Sequence, residues 1–235
     1  MKKILLFSLL AILALGSVQA QKKTKRLSPA AAKGQKEIPA AIELKSEPIL
    51  LPDAIEGLEL PLFDALKLRC TYRDFTEEEL SLELISSLLW SAYGFNRPEE
   101  GKRVAPSAVN VQEFDIYLFT REGIYIYDAA KNTIQMVVQG DHRAEISNQK
   151  HFAVAPVSLL IVANYQRMSI FKDKEVRDFY AAVDCGYVSQ NIYLFCASAK
   201  LGTVACGGIE RDHLHKLLGI TNGKALLAHP VGFHK

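Results

Sequence analysis

VSLLIVAN, Val157 to Asn164, is mostly apolar. It is apolar at both odd and even positions, so it predicts a strand buried on both faces near the centre of a sheet. Phe114 to Phe119 reads as a strand in which Phe114, Ile116 and Leu118 alternate with Asp115, Tyr117 and Phe119. Ile124 to Tyr127 follows after Arg121-Glu122-Gly123, which is a hairpin signal. Thr203 to Cys206 and Leu226 to Val231 are two further strands. Helical spacing appears elsewhere. Leu60 to Leu68 is a short amphipathic helix. Thr76-Glu77-Glu78-Glu79 has the form of a capping box, and Leu80, Leu84, Ile85, Leu88 and Leu89 make an inward stripe that Gly94 closes. Glu175 to Lys200 predicts a long helix, with Val188, Ile192, Phe195 and Ala199 on one side, Tyr187 and Leu194 on another, and Gly202 as its stop. Asp212 to Leu218 is a last helix before Gly219.

Helices and strands in this order do not alternate as in a doubly wound sheet. A mixed sheet with helices packed on it, an α+β fold, fits better. No G-x-G-x-x-G lies between a strand and a helix, so a Rossmann nucleotide site is not supported. There is no internal repeat.

Residues 1–20 stand apart. Lys2 and Lys3 precede an apolar run from Ile4 to Leu15, and Val18-Gln19-Ala20 ends in small residues. This is the pattern of a secretory signal peptide cleaved near Ala20, and the run is shorter than the ~20 residues of a membrane span. An exported, periplasmic protein without stable membrane insertion is expected. Residues 21–50 form a basic disordered or extended arm, and residues 51–235 one domain. The net charge of the whole chain is +2. The leader carries two lysines and no acid, so the mature chain is neutral, with its positive charge concentrated in the arm. The body offers no basic field for nucleic acid. Of the four cysteines, Cys185 and Cys196 fall on one helix ~16 Å apart, out of disulfide reach, and no C-x-x-C occurs. Buried free thiols are expected. His213 and His215 are ~200° apart around a helix and cannot share an ion, so no metal site is expected. Trp90, Tyr93 and Phe95 read as packing residues.

Three segments carry candidate chemistry. In Arg69-Cys70-Thr71-Tyr72-Arg73 the two guanidiniums and the hydroxyl alternate, and an extended chain projects them to one side, which suits a phosphate; a solvated loop with ordinary salt bridges is the plain alternative. In Pro106-Ser107-Ala108-Val109-Asn110 a turn presents hydrogen-bonding groups beside a small residue, which admits a planar ligand or is simply a loop feeding a strand. In Thr203 to Gly208 the glycine pair Gly207-Gly208 lets backbone amides approach a ligand, or serves a turn.

Together these marks resemble the FMN-dependent nitroreductase family, in the style of the branch that includes the SagB-type dehydrogenases. The resemblance runs from about Leu60 to Gly232. It rests on R-x-T-x-R-x-F at Arg69 to Phe75, LLWSAYGFNRPEEGKRVAPSAVNVQE at Leu88 to Glu113, AP before the strand at Ala155 to Ala163, and D-x-G-x-x-x-Q-N-x-x-L at Asp184 to Leu194 continuing into K-L-G-T-x-x-x-G-G at Lys200 to Gly208. It implies an intertwined homodimer with two FMN molecules in its interface. Arg69, Thr71 and Arg73 would take the flavin phosphate and pyrimidine edge, with Thr in place of the family's Ser. Pro106, Ser107, Ala108 and Asn110 would approach the same flavin from the other subunit, with Ala in place of a second Ser. The Gly207 and Gly208 amides would face the N5 and O4 edge, and Gln149 would add a contact. Arg73 is the catalytic candidate, a cation beside the charge that forms near N1 and O2. The activity implied is oxidoreduction of a small molecule in a ping-pong cycle, with hydride passing through flavin N5, and relatives draw it from NADH or NADPH. An exported protein meets little of either, which leaves room for a quinol or another reductant. The short ending Val231 to Lys235 departs from the family's cationic C-terminus and leaves His234, Lys235, Arg97 or Arg103 to assist at the phosphate. A flavin-holding electron carrier and a flavin-free interaction module are the alternatives.

Overall fold

The computed structural model describes residues 46–54 and 60–235. The expected leader and most of the basic arm lie outside the described residues. In chain order the elements are β1 (Ile49–Leu50), α1 (Leu62–Leu68), α2 (Leu82–Tyr93), β2 (Phe95–Arg97), β3 (Lys102–Arg103), β4 (Phe114–Phe119), β5 (Gly123–Asp128), β6 (Thr133–Gln139), α3 (His151–Val154), β7 (Val157–Asn164), α4 (Lys174–Ser198), β8 (Gly202–Thr203), α5 (Arg211–Leu217) and β9 (Gly223–Gly232). Seven strands form one sheet in the order β1-β6-β5-β4-β7-β9-β8, and β2 and β3 form a small separate pair. The α+β class holds. Where a mixed sheet was expected, every ladder among the described residues is antiparallel.

β7 lies between β4 and β9, paired from Phe114↔Ala163 to Phe119↔Ser158 on one side and from Val157↔Val231 to Asn164↔Gly223 on the other. Its side chains feed two cores. Leu159 and Ile161 pack with Leu88 and Leu89 of α2 and with Val188 and Ile192 of α4. Leu160 and Val162 pack with Tyr117, Phe119, Phe152 of α3 and Leu214 of α5. Helical layers on both faces explain why this antiparallel strand is apolar at both odd and even positions from Leu159 to Ala163.

The second helix begins later than its capping box predicts. Ser81, not Thr76, is the N-cap, and its hydroxyl accepts from the Leu84 amide at 3.3 Å. The Thr76 amide donates to the Phe233 carbonyl at 2.8 Å, Phe75 is buried, and Phe75 bridges His234. Pairing with the C-terminal tail holds residues 75–76 extended. Glu77 and Glu79 turn to Arg121, at 3.3 and 2.9 Å, instead of closing a helix. A tertiary contact here overrides a local signal.

β1 and β6 had no counterpart among the expected strands, and β1 places residues 49–50 of the arm on the sheet edge. β8 covers only Gly202–Thr203; Cys206 makes an isolated bridge to Ala228. Cys185, Cys196 and Cys206 are buried thiols as expected, whereas Cys70 is exposed. Several large apolar side chains also face outward: Leu62, Phe63, Leu66 and Leu68 on or beside α1, and Val176, Phe179, Val183 and Tyr187 on α4. The last four recur at helical spacing along one side.

Candidate functional site

Arg69 caps the C-terminus of α1, and the chain then runs past the far half of α4. The Arg69 guanidinium carbon sits 5.4 Å from the centre of the Tyr193 ring, and the Thr71 hydroxyl lies 3.2 Å from the Tyr193 hydroxyl. That same hydroxyl accepts from the Ala205 amide at 2.9 Å. The Tyr72 amide donates to the Thr203 carbonyl at 3.0 Å, and the Tyr72 ring stacks on His234 at 3.9 Å. The first and third candidate segments are therefore neighbours, joined through α4 and flanked by the C-terminal tail. His234 is at the site, and the Lys235 amide donates to the Asp74 carbonyl.

Beneath them lies a fully buried imidazole. His229 pairs Nε2 with the Ser189 hydroxyl at 2.9 Å and Nδ1 with the Thr203 hydroxyl at 3.2 Å, and it meets the Tyr193 ring edge-on. Burial lowers its pKa to about 3, so it stays neutral.

Arg73 is exposed and lies near His151 and Cys206. Burial, reinforced by the Arg73 charge, lowers the His151 pKa. Burial raises that of the Cys206 thiol while Arg73 works against it. The two side chains touch, Sγ to Nε2, at 3.6 Å. Gln149 joins this group, its Oε1 4.0 Å from the same sulfur. Next along the chain, the Gly207 carbonyl accepts from Arg211 at 2.8 Å and the Gly208 carbonyl from Ser147 at 2.7 Å. The Gly207 and Gly208 amides bond to no described residue. Neither glycine has positive φ, and a Cβ on either would meet its nearest neighbour at 3.6 Å, ordinary contact. The fold thus has no need of glycine at either position. Gly94 differs: a Cβ there would fall 2.4 Å from the Trp90 ring.

The second candidate segment is not part of this group. The Ala108 amide donates to the Asp184 carboxylate at 2.7 Å, and Asp184 lies nine residues before Tyr193 on α4, about 14 Å along the axis. Ser107 accepts from the Gln112 amide at 3.0 Å, and Asn110 accepts from the Gln112 side chain at 3.2 Å; Pro106 is exposed. Val109, Asn110 and Gln112 all adopt positive φ, of 44°, 58° and 51°. Arg103 is committed to this loop. It lies 4.2 Å from the centres of both the Tyr93 and Phe95 rings and donates to the Tyr93 carbonyl at 2.6 Å and to Gln112 at 3.0 Å. It is not spare for a phosphate; Arg97 on β2 is exposed. Burial raises the Asp184 pKa, opposed by the Ala108 amide and by a hydrogen bond with the buried Glu113.

His213 pairs with Glu145 at 2.6 Å while His215 accepts the Ala225 amide at 3.1 Å, so these two histidines serve different partners. Sequence reasoning passed over Tyr193, His229, His151 and the Ala108–Asp184 bond. Asp184 opens the quoted D-x-G-x-x-x-Q-N-x-x-L run and Tyr193 lies inside it, four residues after Ser189, but spacing along one helix does not tell which distant segments it will meet.

Residues 66–233 match the family model described as the nitroreductase family. A protein of Methanocaldococcus jannaschii named as a candidate nitroreductase is 33% identical over 195 residues, covering 78% of this chain and 95% of that one. The crystal structure of a candidate nitroreductase from Ralstonia eutropha is 31% identical, covers 86% of this chain and 96% of its own, and superposes with a TM-score of 0.76. At 21% identity the fold also matches the NADPH:FMN oxidoreductase of Vibrio harveyi, crystallised with NAD+, with a TM-score of 0.56 over 74% of this chain and 69% of that one.

Proposed function

The chain belongs to the nitroreductase family, and on that premise we propose that it is an FMN-dependent oxidoreductase of small organic molecules. The glycine pair is the observation that carries this reading. Gly207 and Gly208 have bare amides, carbonyls held by Arg211 and Ser147, and no reason within the chain to lack a side chain. Such a strip suits the edge of a flat heteroaromatic ring with acceptor atoms. Arg69 lies over the Tyr193 ring and Arg73 near Cys206, and their charge suits a phosphate tail and a ring that gains negative charge on reduction. The residues present therefore fit FMN. When bound, FMN would supply hydride acceptance and donation at N5, in two separate half-reactions with a donor and a substrate.

The residues' own tasks follow from their chemistry. Arg69, braced by the Tyr193 ring, would hold the phosphate, and Arg73 would stabilise charge near N1 and O2. The Gly207 and Gly208 amides would donate to the N5–O4 edge, and Gln149 stands beside them. His229, neutral and hydrogen-bonded on both nitrogens, keeps the floor of the site uncharged. The remaining wall would come from a second copy of the chain. The loop at Pro106, Ser107, Ala108 and Asn110 is held about 14 Å along α4 from the first two segments, and the outward apolar row of α4 offers a face for association. A homodimer with shared sites reconciles both. NADH or NADPH is the donor class supported by the Vibrio harveyi relative. Export to the periplasm, supported by the leader-like start of the sequence, would favour another reductant.

The test is direct. The purified protein should carry a yellow chromophore with the mass of FMN, reducible under anaerobic conditions by the true donor. Arg69→Ala should shed it on dialysis. Unchanged retention in that variant would reject the phosphate assignment.

A further inference from the structure

We propose that Tyr193 is the positioning residue of this site. Its hydroxyl sets the register between the Arg69–Arg73 and Thr203–Gly208 segments and fixes which way the Thr71 hydroxyl donates. The proposal rests on the flavin reading above, and it names a residue and a polarity which that reading does not require.

A backbone amide only donates, so the Tyr193 oxygen must accept from Ala205 at 2.9 Å. The 3.2 Å contact with Thr71 has two possible directions. A phenol has one hydrogen. If Thr71 donated, the Tyr193 oxygen would accept twice and its own hydrogen would have no described partner. If Tyr193 donates, the hydrogen left over is that of Thr71 instead; the phenol is the more acidic of the two hydroxyls and is polarised by the bond it accepts, so it is the better donor, and the chain runs Ala205 N–H to Tyr193 O–H to Thr71. The Thr71 hydrogen is then left for a ligand acceptor, and each bond in the chain polarises the next.

The tyrosine is well placed to impose this order. It stands on α4, the longest helix among the described residues. Its ring is bracketed by the Arg69 guanidinium at 5.4 Å and by the His229 ring at 5.6 Å and 83°. A backbone bond, Tyr72 to Thr203, also joins the two segments, so removing the hydroxyl releases their fine register without detaching them.

The experiment compares the full-length holoprotein with Tyr193→Phe, Thr71→Val and the double variant. Three quantities are read: the dissociation constant of FMN, the position of its visible absorption band, and hydrogen exchange at the Ala205 amide. Each single variant should weaken FMN about five- to thirtyfold, the range spanned by losing one to two ordinary hydrogen bonds. The double variant should be no weaker than the worse single one, because both interrupt one chain. Both singles should shift the visible band. Tyr193→Phe should speed exchange at Ala205 but not at Ala228, whose amide bonds to Cys206. Additive losses, or a Tyr193→Phe protein that melts normally and holds FMN as the wild type does, would overturn the proposal. A wild type that takes up no FMN would instead sink the reading of function. Exchange at Ala205, measured without flavin, then still decides the register claim: unchanged exchange in Tyr193→Phe rejects it and faster exchange supports it.

Discussion

Gly208→Ala separates what the fold needs from what the ligand needs. Its Cβ would meet only the Gln149 side-chain nitrogen at 3.6 Å, and the backbone φ there is not positive. Alanine at such a compatible position stabilises by about 0.4–1 kcal/mol, by restricting the unfolded chain. For a domain of this size that raises the melting temperature by about 1–4 °C. The ligand should respond in the opposite direction. If the Gly208 amide faces the flavin edge, the added methyl keeps the ring from closing on it, and a tenfold loss of affinity corresponds to about 1.4 kcal/mol. Binding linkage makes both effects visible in one thermal-melting assay. With FMN at about 100 times the wild-type dissociation constant, the ligand stabilises the wild type by about 2.7 kcal/mol. A tenfold weaker variant gains only about 1.4 kcal/mol under the same conditions. Gly208→Ala should therefore melt slightly higher than wild type without flavin and gain about half as much when FMN is added. A flavin-free variant that melts lower would show that the fold needs this glycine. An undiminished FMN-induced rise would show that the Gly208 amide does not face the flavin. Either result refutes the reasoning. Gly94→Ala is the control, since its Cβ would fall 2.4 Å from the Trp90 ring and it must lose stability.

Two further outcomes are expected. Asp184 is an acid whose pKa is raised in the folded state, so it binds its proton more tightly folded than unfolded; its contribution favours folding at low pH and is lost as pH climbs from the ordinary carboxylate value through the raised one. Asp184→Asn keeps an acceptor for Ala108 and removes that loss, so its stability relative to wild type, read from urea midpoints at pH 5 and pH 8, should grow toward pH 8; a difference of opposite sign would reject burial as the dominant cause. Phe179→Asp alters a side chain that is 62% exposed in the single chain, so monomer stability should not change, but sedimentation should shift from dimer to monomer and FMN should be lost with it. A wild type that sediments as a monomer with a full complement of FMN would rule out the shared site.

Legibility of the fold depended on how local each signal was. Val157 to Asn164 was readable because α2 and α4 cover one face of β7 while α3 and α5 cover the other, and two-sided burial leaves apolar residues at both odd and even positions. β6 was not readable. Thr133 to Gln139 lies near the sheet edge, half-exposed, so its polar residues blur the alternation. The capping box at Thr76 misled for a different reason: the partner that holds it extended, Phe233, is 157 positions later. The site divides in the same way. Arginines at alternate positions and a glycine pair at a strand end are visible as spacing. The junction at Tyr193 is an encounter of three segments, Thr71, Tyr193 and Ala205, and nothing in any one of them points to the other two.

The loop from Ser107 to Gln112 links the local and distant parts of this picture. A β-branched residue at φ 44° is disfavoured, yet Val109 adopts it between two firm attachments, Ala108 to Asp184 and Gln112 to Ser107, with Arg103 clamping Gln112 from beneath. Such a conformation persists only where its surroundings over-determine it, and it tends to be kept where a ligand depends on it. The side chain so held is 70% exposed among the described residues. On the proposed reading, this loop and the bare glycine amides on another part of the surface are the two half-sites of one shared flavin site. In the homodimer proposed above, two copies related by a two-fold axis, each lending its strained loop to the other's arginine and glycine segments, would account for the strain, the outward apolar row of α4 and the distance between the half-sites at once.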